Sequence, residues 1–279
     1  MIWRNNIGEF DLGVRALIMG VLNVTLDSFS DGGKYLDLEN AVAHGLQMVA
    51  EGADIIDVGG ESTRPGAQPV DAAGEMRRVL PVIEALAKQT CCPLSIDTCK
   101  AEVARAAMGC GARIINDITG LRGDPDMPAA ARDTGAGVII MHMQGTPRDM
   151  QANPHYGDVV AEIGDFFRQS FTHAVACGID PVKIAFDPGI GFGKTAVHNM
   201  LLLKNIESLR VENRPLVLGV SRKSFIGRVL GSEDMAGRLW PTVAITAFAR
   251  DRGANIFRVH DVRPNVEALR MTEAILGVT

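Results

Sequence analysis

The chain has 279 residues, 47% of them hydrophobic, and a formal net charge of -5. That apolar content suffices for one large core, so residues 1–279 are expected to form a single domain of barrel or doubly wound type. The acidic balance argues against nucleic acid or an anionic membrane as partner, no run reaches the roughly 18 apolar residues of a membrane span, and MIWRNNIGEF lacks the apolar centre of a signal peptide.

A cytoplasmic protein is therefore expected. Its five cysteines (Cys91, Cys92, Cys99, Cys110, Cys177) are odd in number and lack CxxC spacing, which favours reduced thiols over a disulfide framework or a zinc site.

Taken in chain order, apolar runs of strand length recur at 16–22, 54–59, 93–97, 112–117, 137–142, 183–187, 215–221 and 255–260. Between them lie segments of helical periodicity. Leu38, Val42, Leu46 and Val49 share one face ahead of a C-terminal Gly52; Met76, Val79, Ile83 and Leu86 share another behind an Asp71 cap. Eight strands that are apolar throughout, alternating with helices, predict an α/β fold closed as a (β/α)8 TIM barrel.

In such a barrel the C-terminal strand ends face one cavity, whatever their separation in sequence. Here they carry Asn23; Glu61, Ser62, Thr63 and Arg64; Asp97; Asn116 and Asp117; His142; Asp187; Ser221, Arg222 and Lys223; and Arg258 with His260. Any one of these is as well explained as a helix cap, but so many ends bearing charged or amide groups indicate a ligand. Asp97, Asn116 and Asp187 suit a flat heterocycle with adjacent N–H groups. Thr63, Arg64, Lys223, Arg258 and His260 suit an anion such as phosphate. The long segments 23–37 and 60–70 are placed to act as lids. DPGIGFGKT at 187–195 imitates a phosphate loop but has Pro188 where that motif needs its first glycine, so its glycines are expected to let the backbone approach a flat ligand beneath Phe192. Of the histidines, His44, His173 and His198 fall on helices as solvated or capping residues, while His142 and His155 fall on loops near the cavity.

Eight strings in order, NVTLDSFSDGG, DVGGESTRPGA, SIDTCKAEVA, INDITG, MHMQGTP, DPGIGFGK, GVSRKSFIG and FRVHDV, resemble the dihydropteroate synthase family across essentially the whole chain. The resemblance implies a transferase that joins 7,8-dihydropterin-6-ylmethyl diphosphate to 4-aminobenzoate, forming dihydropteroate and releasing diphosphate. It implies that Asp97, Asn116 and Asp187 hold the pterin edge, that Lys223 reaches the pterin carbonyl side, and that Arg258 packs over the ring while helping to bind diphosphate. Asn23 would hold Mg2+ on the diphosphate, with Thr63, Arg64 and His260 as further phosphate contacts. Phe29, Pro65, Phe192 and Ser224 would border the aminobenzoate pocket, and Arg64, Lys223 and Arg258 would be catalytic. A homodimer is implied as well.

The chain departs from the family pattern at Leu26, where Pro is usual, and at Cys99, where Tyr is usual. A non-catalytic pterin-binding paralogue and a pterin-dependent methyltransferase share the pterin shelf. The diphosphate set of Asn23, Arg64, Lys223, Arg258 and His260 favours the synthase over the methyltransferase, and a turnover assay separates the paralogue.

Overall fold

A computed structural model describes residues 1–13, 15–24, 34–63, 67–232 and 234–278, the side chains of 34–37 excepted. Leu26, Phe29, Arg64 and Pro65 lie outside the described residues.

The chain opens with a hairpin of β1 (Ile2–Arg4) and β2 (Glu9–Asp11), which the apolar pattern does not announce. Eight parallel strands follow: β3 (Leu17–Asn23), β4 (Ile55–Gly59), β5 (Leu94–Asp97), β6 (Ile114–Asp117), β7 (Gly137–Met141), β8 (Ile184–Asp187), β9 (Val217–Leu218) and β10 (Ile256–Val259). All eight expected runs contain a strand.

Pairing runs in sequence order from β3 to β8, and on the other side β3 pairs with β10 and β10 with β9. The ring closes between β8 and β9, where Phe186 N–H donates to Pro215 O at 2.9 Å. The run expected at 215–221 shrinks to two residues of regular strand. Pro215, at its start, has no N–H to give to a ladder.

The helices cover the outside: α1 (Lys34–Ala50), α2 (Ala72–Gln89), α3 (Ala101–Cys110), α4 (Met127–Thr134), α5 (Val159–Ala176), α6 (Ala196–Lys204), α7 (Ser224–Leu230), α8 (Leu239–Asp251) and α9 (Val262–Leu276). The expected caps are present. Asp71 accepts from Gly74 N–H at 2.7 Å. Gly52, at φ 103°, ends α1 with Gly52 N–H on Val49 O and Ala53 N–H on Met48 O, the paired bonds of a Schellman turn.

Two apolar regions result. The larger packs the helices onto the outer face of the sheet and includes Val79, Ile83 and Leu86 of α2. The other fills the barrel: Leu17, Met19, Ile55, Ile114, Ile139, Ala185, Val217 and Ile256 meet there with Trp3 and Leu12. Trp3 is fully buried and donates its indole N–H to Lys183 O at 2.8 Å, so the hairpin plugs the N-terminal end of the barrel. The C-terminal end is left for a ligand.

Candidate active site

Side chains alternate along a strand, so the inward series that starts in the apolar floor continues two residues further toward the C-terminal mouth. There the residues change character, to Asp57, Asn116, Asp187, Gly219 and Arg258, with Asp97 and Asn23 one step higher. Asn23, Gly59, Asp97 and Asn116 fall on one line of strand partners.

Arg258 is the hub. Its Nε donates to Asp57 Oδ2 at 2.6 Å and its Nη2 to Asp97 Oδ2 at 2.7 Å, while Asn116 Nδ2 donates to the same Asp57 oxygen at 3.1 Å. Asp57 is fully buried, and its Oδ1 has no hydrogen-bond partner among the described residues. It was not among the expected site residues, although it holds together two that were, Arg258 and Asn116.

Two carboxylates hold the guanidinium charged and raise its pKa against the cost of burial. Burial also raises Asp97, Arg258 opposing it and Asp57 reinforcing it. Asp187 accepts from Gly189 N–H at 2.7 Å, yet burial pushes it up to about 6. Lys223 places its ammonium 4.0 Å from the centre of the Phe192 ring, and burial beside Arg258 brings it down to about 8.

The structure therefore brings Asp97, Asn116, Asp187, Phe192, Lys223 and Arg258 to one mouth. Asn23 ends β3 with its side chain exposed near Gly59 and Asp97. Ser224 is the exposed first residue of α7. A cavity of about 400 Å³ opens beside Asp97 between the loops after β4, β5, β6 and β7, with Thr63, Cys99, Ile118 and Arg148 in its wall. Burial pushes the Cys99 thiol up to about 11, so it is neutral at physiological pH.

At His260 burial beside Arg258 lowers the imidazole to about 4, leaving a neutral ring at pH 7. Ser221 Oγ accepts from the His260 backbone N–H at 3.2 Å and lies 3.0 Å from Nδ1. Its own proton can go to Nδ1, which puts the ring proton on Nε2.

Three other strand-end residues turn away from the cavity or into the scaffold, and a fourth, Glu61, stands in the cavity wall. Asp117 faces out and accepts from Thr119 N–H, Thr119 Oγ1 and Leu121 N–H, organising the turn after β6. Arg222, at φ 58°, forks onto Asp261. His142 is buried against the edge of Phe166, and Glu61 pairs with Lys100. His155 is exposed, its backbone bonded both ways to the Gln144 amide, and His198 forms a capping box with Thr195.

The glycines of 187–195 pack closely on neighbouring protein. A Cβ on Gly189 would lie 1.9 Å from His142 O, one on Gly193 2.5 Å from Gln144 O, and one on Gly191 3.1 Å from the Lys223 stem. They let this loop press on the 142–144 loop and on Lys223. Lys194, the lysine of the imitated phosphate loop, is buried and donates to Phe192 O at 2.9 Å beside His142 Nδ1 at 3.1 Å, which fixes the loop that presents Phe192. Gly219 is the glycine open to the site, with only Asp187 Oδ2 near its missing Cβ, at 3.9 Å.

The family model described as "Pterin binding enzyme" matches residues 19–260. The dihydropteroate synthase of Mycobacterium leprae (strain TN) is 48% identical over 266 residues, covering 93% of each chain. That of Escherichia coli (strain K12) is 47% identical over 263 residues, covering 93% of this chain and 92% of the relative. Among solved structures, a Yersinia pestis dihydropteroate synthase in a sulfonamide drug complex superposes with a TM-score of 0.93 at 44% identity over 100% of both chains. A Xanthomonas albilineans dihydropteroate synthase with 4-aminobenzoic acid gives 0.91 at 46% identity over 97% and 96% of the two chains. Strand order, the mouth built around Arg258 and these relatives agree: the chain belongs to the pterin binding enzyme family, and within it to the dihydropteroate synthases.

Proposed function

We propose that the Arg258 mouth binds a dihydropterin diphosphate and joins its methylene carbon to the amine of 4-aminobenzoate, with the residues dividing the work as follows. Asp97 and Asp187 accept hydrogen bonds from the N–H edge of the pterin and Asn116 supplies its amide beside them. Lys223 donates to the ring carbonyl. Among the described residues two of the five N–H groups of the Arg258 guanidinium are engaged, so others remain for the diphosphate while its plane faces the ring.

The observation that carries this reading is the shared bonding of Arg258 and Asn116 to Asp57, which fixes a cation and an amide side by side over buried acids. Such preorganised charge costs no rearrangement when the diphosphate leaves. Heterolysis of the C–O bond sends its electron pair to the diphosphate. The electron-rich pterin delocalises the cationic methylene, the arylamine nitrogen attacks it, and the amine proton passes to solvent. Thr63, Arg64 and the Nε2–H of His260 meet the departing charge. Phe29, Pro65, Phe192 and Ser224 border the aminobenzoate.

Among the described residues no group of three or more His, Cys, Asp or Glu side chains could form a metal cage. That fits Mg2+, which is commonly held by one or two protein oxygens plus substrate phosphates and water, and Asn23 offers an exposed amide oxygen at the right rim. Bound there, the ion neutralises diphosphate charge.

The homodimer is proposed through the face shared by α6, α7 and α8, where Val197, Met200, Val229, Leu230, Trp240 and Phe248 are exposed. Among the described residues no helix is long and apolar enough to cross a membrane, and all five cysteines are free thiols, which supports the cytoplasm as the compartment.

The deciding experiment measures dihydropteroate and diphosphate release with and without Mg2+. One-to-one products that require the ion support the reading; pterin binding without turnover refutes it.

A further inference from the structure

We propose that Lys100 is a positioning residue for the diphosphate half of the substrate, keeping Thr63 in place by bridging the carboxylates of Glu61 and Glu75. The inference rests on the assignment of Thr63 to the diphosphate made above.

Lys100 Nζ lies 2.5 Å from Glu61 Oε2 and 2.6 Å from Glu75 Oε2. Glu75, in the first turn of α2, has a side chain only 1% exposed, and its Oε1 has no partner among the described residues. The other oxygen of Glu61 accepts from Val70 N–H at 3.2 Å, so one carboxylate ties together the two ends of segment 61–70.

The root of that segment is pressed on α2. Arg78 Nη1 donates to Gly60 O at 2.8 Å, and a Cβ on Gly60 would lie 2.7 Å from Val79 Cγ1 and 2.9 Å from Glu75 Cγ. Thr63 follows three residues later and reaches the wall of the cavity.

On its other side Lys100 is tied to the pterin shelf. Its backbone N–H donates to Thr98 Oγ1 at 3.2 Å, and Thr98 N–H donates to Asn116 O at 3.1 Å. The lysine thus joins the strand ends bearing Asp97 and Asn116 to the segment bearing Thr63. Without its charge, two carboxylates converge on one point and repel, and the more exposed one, Glu61, is the one that can move. A lysine serving only to neutralise buried Glu75 would support the fold but would not distinguish the two parts of the substrate.

The test compares two ligands on the full chain. Lys100→Met is expected to raise KM for the dihydropterin diphosphate about tenfold, with Kd for the dihydropterin lacking diphosphate changed by less than about twofold. Lys100→Arg should restore most of the loss. Glu61→Gln removes the same link from its more exposed end and should shift KM in the same direction, so it decides the matter if Lys100→Met does not fold.

Thr63→Val serves as the control. If it raises KM for the diphosphate while Lys100→Met and Glu61→Gln do not, or if these two weaken both ligands alike, the role of Lys100 is refuted. If Thr63→Val leaves KM unchanged, the assignment of Thr63 fails and the inference fails with it.

Discussion

Asp57→Asn probes the buried acid beneath the site. Arg258 Nε and Asn116 Nδ2 both bond to Oδ2, so an asparagine that puts its oxygen there keeps both acceptor contacts and loses only the charge. Replacing charge-assisted hydrogen bonds with neutral ones costs about 1–2 kcal/mol. The new amide N–H2 then occupies the place of Oδ1, which has no partner, and a buried unsatisfied donor adds about 1–3 kcal/mol.

A total loss of about 2–5 kcal/mol in unfolding free energy is therefore expected from guanidinium denaturation at pH 7. A second readout has a definite sign. Asp57 raises the pKa of Asp97, so its neutralisation lowers Asp97, and the acid limb of pterin binding should move to lower pH by calorimetric titration. A stability change under about 0.5 kcal/mol together with an unmoved acid limb would refute the role given to Asp57.

Four further outcomes are expected. Asp187 has its folded pKa raised to about 6, so its ionised form is lost as pH falls through that value; a ligand that needs the carboxylate should bind about tenfold more weakly at pH 5 than at pH 7, and a flat profile would argue against Asp187 as an acceptor. Gly189→Ala should cost several kcal/mol of stability, on the order of 3 or more, because its Cβ would meet His142 O at 1.9 Å at φ 65°; an unchanged Tm would refute the loop contact. Trp3→Ala should cost about 3–5 kcal/mol yet leave KM unchanged at temperatures where the protein is folded, since the indole lies at the far end of the barrel. Trp240→Glu should convert a dimer to a monomer by light scattering, and a variant that remains dimeric would move the interface elsewhere.

Much of the barrel was legible because parallel strands covered on both faces are apolar throughout, and each run ended in polar residues. Reading only those ends cost Asp57, which lies two residues before Gly59 inside IIDVG. Strand parity would have found it, and would have separated inward Asn116 from outward Asp117. The hairpin escaped because its strands are three residues each, too short for alternation to register. Backbone positions were hidden for another reason: whether a glycine admits a ligand or a neighbouring loop depends on what packs opposite, as Gly189 and Gly219 show. The bridge from Lys100 to Glu61 and Glu75 joins residues 39 and 25 positions apart, a juxtaposition made by the barrel and not by any local pattern.

Trp3 also sets a timetable for the newborn chain. Its acceptor, Lys183 O, lies 180 residues downstream. At roughly 5–20 residues per second, the indole leaves the ribosome on the order of 10 to 40 seconds before its resting place can exist. The apolar plug must wait in solvent, or under a chaperone, while five barrel strands are synthesised. Any tag or fusion that shields the first dozen residues would alter that wait without touching the finished enzyme's mouth.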